Sequence, residues 1–582
     1  MGNVNLTIDG RAVSVDKGST VLEAARKAGV RIPTLCYLEN VQAIGACRMC
    51  IVEVQGKRGL HASCVLPVEE GMVVNTNTAM VRTARKAVME LILSNHPFEC
   101  LTCVRNLNCE LQRLAEELGV RQVRFQGANP ETCIDDSNPS VIRDQRKCIL
   151  CRRCVTVCKE IQGVSALGMV NRGFETRVAA AGDVPLGEVA CALCGQCIQA
   201  CPVGALYEPD KTGEVWRALA DPNKHVVVQP APAIRVALGE EVGMPVGSVV
   251  TGKMATALRM MGFDAIFDTD FAADLTIIEE GHELLHRMQN GGVLPMITSC
   301  SPGWIKFCEH FYPDLLPNLS TCKSPHEMLG ALAKSYYAEK IGKKPEDIFV
   351  VSIMPCTAKK FEVERPEMAS SGQQDVDVVL TTRELGRMIR EAGIDFPNLE
   401  DGEFDAPLGI STGAALIFGA SGGVMEAALR TVYEVVAKEP LANIDFCDVR
   451  GLEGVKEATV DIKGTKVRVA VTNGLANARK VLDAIKDGTG KWDFIEIMAC
   501  PGGCIGGGGQ PQPTNAEVRK LRMEATYRAD CDMPIRKSHE NPGIKKLYDE
   551  FLIEPLGEKS HHLLHTHYCE RGKYQEENKC CK

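Results

Sequence analysis

Cys148-Ile-Leu-Cys151-Arg-Arg-Cys154-Val-Thr-Val-Cys158 is matched further along the chain by Cys191-Ala-Leu-Cys194-Gly-Gln-Cys197-Ile-Gln-Ala-Cys201-Pro202. Both stretches read C-x2-C-x2-C-x3-C. The chain holds 582 residues and 27 cysteines. That length exceeds what one hydrophobic core supports, so several domains are expected. An odd number of cysteines in so long a chain excludes a small disulfide-stapled fold and points to metal. Hydrophobic residues make up 45% and charged residues 24%, as in ordinary globular proteins. A formal charge of -9 argues against nucleic acid as a partner. Charges at Asp9, Arg11, Asp16, Lys17, Glu23, Arg26 and Lys27 break any leader-like apolar segment. No apolar run approaches the ~20 residues of a membrane span. A cytoplasmic, metal-rich protein with no membrane contact is the expectation.

The two runs resemble the paired 4Fe–4S motifs of bacterial ferredoxins, in which the fourth cysteine of each run ligates the other cluster. On that resemblance Cys148, Cys151, Cys154 and Cys201 hold one cube, and Cys191, Cys194, Cys197 and Cys158 hold the other. Pro202 follows the second run as in that pattern, whereas Lys159 follows the first.

Upstream, Val4 to Ile8 and Arg11 to Val15 alternate in polarity around Asp9-Gly10, which predicts a hairpin. Ser19-Thr20 opens a predicted helix through Ala28 that Gly29 closes. Cys36, Cys47, Cys50 and Cys64 follow at C-x10-C-x2-C-x13-C. Hairpin, helix and cysteine loop in that order form a β-grasp ferredoxin pattern. The spacing resembles the amino-terminal 2Fe–2S domain shared by respiratory complex I large subunits and iron-only hydrogenases. A helix is predicted from about Met80 to Leu93, and then comes His96-x3-Cys100-x2-Cys103-x5-Cys109. Three thiolates and an imidazole suit zinc or iron by spacing alone. The pattern is similar to the His-ligated 4Fe–4S segment of the same two families. Four clusters within about the first 200 residues suit serial electron hopping better than structural stapling.

Beyond Asp210 the cysteines thin out and the chain reads as α/β. Val226–Val228, Val293–Ile297, Ile348–Ile353 and Val467–Val471 are expected buried strands. Ala273–Met288 and Met425–Ala437 are expected helices. No G-x-G-x-x-G fingerprint or P-loop occurs, and the glycines at 506–509 lack the strand-turn-helix setting of either. Three cysteine loops stand out: Thr298-Ser-Cys-Ser-Pro-Gly-Trp304, Met354-Pro-Cys-Thr-Ala-Lys-Lys-Phe-Glu362 and Glu496-Ile-Met-Ala-Cys-Pro-Gly-Gly-Cys-Ile-Gly-Gly-Gly-Gly-Gln-Pro511. They look like the three signature motifs of iron-only (FeFe) hydrogenases, and with the amino-terminal groups the resemblance spans nearly the whole chain.

The resemblance implies an H-cluster, a 4Fe–4S cube joined through one cysteine to a diiron subcluster carrying CO, cyanide and azadithiolate. By it Cys504 bridges, Cys356 and Cys500 hold the cube, Lys359 pairs with a cyanide, and Met354 and Met498 pack on the diiron unit. Glu280, Glu283 and Ser320 match the proton relay. The commonest family motif has two adjacent cysteines, a proton carrier and then a cube ligand; here Cys300 is followed by Ser301. Ser301 supplies an oxygen ligand, or Cys300 shifts onto the cube, or the cluster is altered; thiolate softness favours Cys300.

The implied architecture is an α+β multidomain protein. A 2Fe–2S domain spans 1–78, a His/Cys3 segment 79–138, a two-cluster domain 139–209 and an H-cluster domain 210–570, with a flexible tail at 571–582. The implied activity is reversible H2 oxidation with electrons passed along four accessory clusters. The implied partners are flavin- and NAD(P)-binding subunits of a possible bifurcating complex, ferredoxin, or both. A stand-alone ferredoxin hydrogenase and a non-catalytic electron-transfer or H2-sensing subunit are the competing readings. Cys133, Cys308, Cys322, Cys447 and Cys531 are expected to be structural, and Cys569, Cys580 and Cys581 to sit in an exposed end.

Overall fold

The computed structural model describes residues 2–127, 134–441, 443–452 and 454–572. The expectations for Cys133, Cys580 and Cys581 lie outside the described residues.

The predicted hairpin forms between Asn3–Ile8 and Arg11–Asp16, with Ile8 opposite Arg11. The following helix, Val21–Lys27, starts at a reciprocal cap. The Thr20 hydroxyl accepts from the Glu23 N–H, and the Glu23 carboxylate accepts from the Thr20 N–H at 2.6 Å. Its apolar face buries Val21, Leu22, Ala24 and Ala25 against a five-stranded mixed sheet. The helix expected near Met80 runs Ala79–Ser94, capped by Thr78. Its Met89 belongs to one buried apolar cluster with Leu111 and Leu114 of the helix Glu110–Glu117, Leu35 and Met49 of the first cysteine loop, and Ile198 and Val203. One shared core therefore joins all three amino-terminal cysteine regions.

The remainder is built on two four-stranded sheets. In one, Ala265–Ile266, His225–Pro230, Ile348–Met354 and Val378–Thr381 are parallel neighbours in that order. In the other, Met296–Ile297, Phe494–Met498 and Thr465–Asn473 are parallel, and Val455–Ile462 closes the edge antiparallel. The strands that the apolar runs predict are present, with one correction. Val293–Ile297 forms a strand only at Met296–Ile297, because Val293 and Leu294 are exposed before Pro295. The expected helices appear as Thr269–Asn290 and Gly423–Ala437. Among the described residues, no helix is long and apolar enough to cross a membrane.

The last segment clamps this body through buried polar contacts. Arg522 pairs with Glu240, Asn541 donates to Asp274, and Arg430 lies between Glu426 and Asp530 with all three side chains inaccessible. Arg571 is held by the buried Glu309, and the Gly572 carbonyl meets His310. Residues 571 and 572, expected to begin a loose tail, are thus packed. Arg430→Ala leaves Glu426 with Arg450 and Asp530 with Arg536 as their remaining cations, and removes the buried cation that ties the two together, a loss of about 1–3 kcal/mol. A lower urea midpoint for the catalytic body, followed by tryptophan fluorescence, is the expected result.

Candidate active site

Open α/β sheets bind ligands beyond the carboxyl ends of their strands. Here the three cysteine loops leave such ends: Ile297 leads to Cys300, Met354 to Cys356 and Met498 to Cys500. They converge with Ala231, Pro232, Phe418 and Gly419 on one internal pocket, lined by Cys300, Ser301, His326, Met354, Cys356, Lys359, Met498, Cys500 and Cys504. Glu496 fixes one wall. Its carboxylate accepts from the Gly422 N–H at 2.6 Å and the Met425 N–H at 2.8 Å, anchoring the start of the helix Gly423–Ala437.

The donor set suits iron–sulfur chemistry. Cys500 is buried, and Cys300, Cys356 and Cys504 open onto the pocket. Removal from water and then the neighbouring Cys356 push the Cys504 thiol up to about 12, and Cys500 well above the usual range. So many soft donors gathered out of water are costly as thiolates unless a cation joins them. Backbone supports the crowding at Gly503, whose φ of +90 and closeness to the Ser421 nitrogen leave no room for a side chain.

Proton-bearing groups lead away from the pocket. Burial, and then the charge of Glu283, push the Glu280 carboxyl up to about 8. Its Oε1 has no hydrogen-bond partner, and after burial its charge is what most raises the Cys300 thiol. The Ser320 hydroxyl donates to Glu283 Oε2 at 2.9 Å, and Arg287 pairs with Glu283 at 2.6 Å. Cys300, Glu280, Ser320, Glu283 and Arg287 are therefore successive electrostatic or hydrogen-bonded neighbours. On the other side Lys359 donates to Glu362 at 2.7 Å, and Glu362 also meets His326 Nε2 at 2.7 Å. Although burial raises it, Lys359 and His326 hold the Glu362 carboxyl down at about 2. Sequence reading missed Arg287, Glu362 and His326. Arg287 at i+4 from Glu283 and Glu362 at i+3 from Lys359 carried a helical-spacing signal; His326 carried none.

Cys148, Cys151, Cys154 and Cys201 line one small cavity. Cys158 is near enough to Cys191, Cys194 and Cys197 to push each of their thiols up. Cys50 and Cys64 lie Sγ to Sγ at 3.4 Å, and the Cys47 N–H points at Cys36 Sγ at 3.5 Å. Cys103 acts on Cys109, and the buried His96 Nδ1 has no hydrogen-bond partner, which fits a metal-ligating imidazole. Cys308 and Cys322 are buried, while Cys447 and Cys531 are exposed.

The groups also adjoin one another. Gln42 of the first domain donates to the Cys151 carbonyl at 3.0 Å. Gly204 brings its backbone against the Cys103 sulfur, where a Cβ would stand 2.6 Å away. At the far end, Thr357 donates to the Leu193 carbonyl at 2.9 Å and Gln196 to the Gly506 carbonyl at 2.8 Å. A Cβ on Gly508 would lie 2.5 Å from the Cys194 carbonyl. Cys194 is consequently close enough to push the Cys500 thiol up, and Cys356 to push up that of Cys194. Gly508→Val forces these loops apart, costing about 1–3 kcal/mol; a melting temperature lower by several degrees in differential scanning fluorimetry is the expected outcome.

Comparison with known proteins places these features in a context. The family described as iron only hydrogenase large subunit, C-terminal domain, matches residues 224–508. A 2Fe-2S iron-sulfur cluster binding domain matches 2–79, and the iron hydrogenase small subunit matches 516–571. The NADH-ubiquinone oxidoreductase-G iron-sulfur binding region matches 85–124, and the ferredoxin-like domain of NADH-quinone oxidoreductase subunit 3 matches 138–207. The chain is 51% identical to the NADP-reducing hydrogenase subunit HndD of Solidesulfovibrio fructosivorans, over 98% of this chain and all of that one. It is 42% identical to iron hydrogenase 1 of Clostridium pasteurianum, over 97% of this chain and 99% of that one. A solved structure of the apo FeFe-hydrogenase of Chlamydomonas reinhardtii is 45% identical with a TM-score of 0.57, covering 62% of this chain and all of that one.

Proposed function

The chain belongs to the iron-only hydrogenase family, and we propose that it catalyses 2H⁺ + 2e⁻ ⇌ H2 at an H-cluster held in the pocket between its two sheets. The observation that carries this reading is the convergence of Cys356, Cys500 and Cys504 from three strand ends, with Lys359 beside them. When bound, the cofactor supplies the iron at which H2 is formed or cleaved. The protein's part is to hold, orient and connect. Cys356 and Cys500 serve as cube ligands and Cys504 as the bridging one. Met354 and Met498 close the pocket beside the diiron half. Glu362 and His326 hold the Lys359 ammonium in place for a cyanide.

Protons travel between the pocket and the surface through Cys300, Glu280, Ser320 and Glu283. Glu280 is suited to this work because its carboxyl sits at about 8, close to working pH, where a general acid–base group is most effective. Arg287 orients Glu283 at the outer end.

Cys191, Cys194, Cys197 and Cys158 would hold the accessory 4Fe–4S cluster nearest the pocket, and Cys148, Cys151, Cys154 and Cys201 a second. His96, Cys100, Cys103 and Cys109 would hold a third 4Fe–4S cluster, and Cys36, Cys47, Cys50 and Cys64 a 2Fe–2S cluster, groups that would supply one-electron carriers between the pocket and a redox partner. The full-length likeness to a subunit of an NADP-reducing hydrogenase supports a partner that binds the nicotinamide nucleotide, since no dinucleotide fingerprint occurs here. Such a partner is consistent with a cytoplasmic location.

Isolated chain matured with its cofactor is expected to reduce a viologen dye under H2; no reduction in preparations that contain iron refutes the reaction. NADP⁺ reduction is expected only after flavin-containing partner subunits are added. Glu280→Gln is expected to lower H2 oxidation by about 10²–10⁴-fold at unchanged iron content. In the parent enzyme the deprotonated carboxylate accepts the proton, so H2 oxidation is expected to rise as pH approaches 8. The variant is expected to lose that rise.

A further inference from the structure

The pocket offers two candidates for the fourth position of an iron–sulfur cube beside Cys356, Cys500 and Cys504: Cys300 and Ser301. We infer that Ser301 completes the cube through its side-chain oxygen, and that Cys300 stays off the cluster as the thiol facing Glu280. This deepens the H-cluster reading and rests on it.

The first observation is the Ser301 hydroxyl itself. Ser301 precedes the helix Pro302–Phe311 in an extended conformation, φ -105 and ψ 98, the position where a serine ordinarily accepts from the N–H two or three residues on. It makes no such bond. Its Oγ instead accepts from the Ala499 N–H at 3.3 Å, one residue before Cys500. The hydroxyl is turned onto the cysteine loop at the expense of helix capping.

The second is the division of neighbours. The charged groups acting on Cys300 are Glu280, Cys504, Lys359 and Glu496. Those acting on Cys500 are Cys356, Cys194 and Cys504. Cys300 therefore occupies the carboxylate-and-lysine side of the pocket, and Ser301 the side of Cys500. Ser301 is extended, where neighbouring side chains diverge, so one loop presents Ser301 beside the Cys500 backbone and Cys300 beside Glu280 within the same pocket.

Softness alone favours Cys300 as the iron ligand; placement reverses that preference. Ligation breaks the Ser301 O–H bond and forms an iron–oxygen bond, releasing one proton to solvent without a redox change. The positive end of the ten-residue helix that Ser301 precedes favours the resulting alkoxide.

The test uses the full-length chain produced anaerobically without the diiron half, compared as parent, Ser301→Ala, Ser301→Cys and Cys300→Ala. Iron is counted per chain, and mildly oxidised samples are examined by electron paramagnetic resonance. Ser301→Ala is expected to lose one iron and to gain the signal of a three-iron cluster, while Cys300→Ala keeps the parent iron count and spectrum. Ser301→Cys is expected to keep all its iron and to shift the reduction potential of this cube alone. A three-iron signal in Cys300→Ala with a parent-like Ser301→Ala overturns the inference in favour of Cys300. Parent-like spectra in both alanine variants overturn it in favour of a ligand from neither residue. A parent chain with iron only at the accessory sites fails the cube reading itself.

Discussion

Everything else in the molecule depends on a contact between two backbones. The turn at Cys194-Gly195 rests against the glycine run that follows Cys504, so closely that a single β-carbon on Gly508 would collide with the Cys194 carbonyl. Side chains lock the approach: Thr357 reaches the Leu193 carbonyl, Gln196 the Gly506 carbonyl and Gln199 the Gln510 carbonyl at 2.7 Å. Electron transfer over packed protein falls steeply with distance, and only glycine permits two peptide planes to meet in this way. The glycines at 506–509 are thus the seam that joins the cysteine-rich amino-terminal half to the half that carries the pocket.

Around that seam the chain excludes water and holds charge in buried pairs. Arg383 bridges Glu208, at the end of the two-cluster region, to the Gly508 carbonyl at 2.9 Å. Arg522 binds both Glu240 and the Ile505 carbonyl. These cations do not touch the pocket thiols. They fix the loop that carries Cys504, so the thiols meet in a geometry set by the surrounding framework. Buried ion pairs of this kind add little net stability, but removal of one partner is costly, which suits a loop that must not drift.

Much of this was legible in the sequence, for a definite reason. Ligand spacing is local, so C-x2-C-x2-C-x3-C, His96-x3-Cys100 and the three loops announced metal directly, and the apolar runs at 225–230, 348–354 and 465–473 announced buried strands. The strand expected at 293–297 shrank because Val293 and Leu294 precede a proline at the molecular surface, where no neighbouring strand is available to pair with them. His326 was invisible because its partner Glu362 lies 36 positions away, and neither residue type is unusual by itself. The choice between Cys300 and Ser301 was likewise undecidable from composition, since it turns on which way a hydroxyl faces at a helix start. Sequence records which donors exist; the fold decides which of them meet.

The connection across the glycine seam is tested most directly by exposing the matured, full-length protein to H2 with no dye or partner present and recording its electron paramagnetic resonance spectrum. If the clusters form one continuous route, signals of the reduced accessory centres appear, the 2Fe–2S centre of the first domain included. If H2 changes the catalytic pocket while the accessory centres stay oxidised until a mediator is added, the two halves are not wired together and the central role of the seam is wrong.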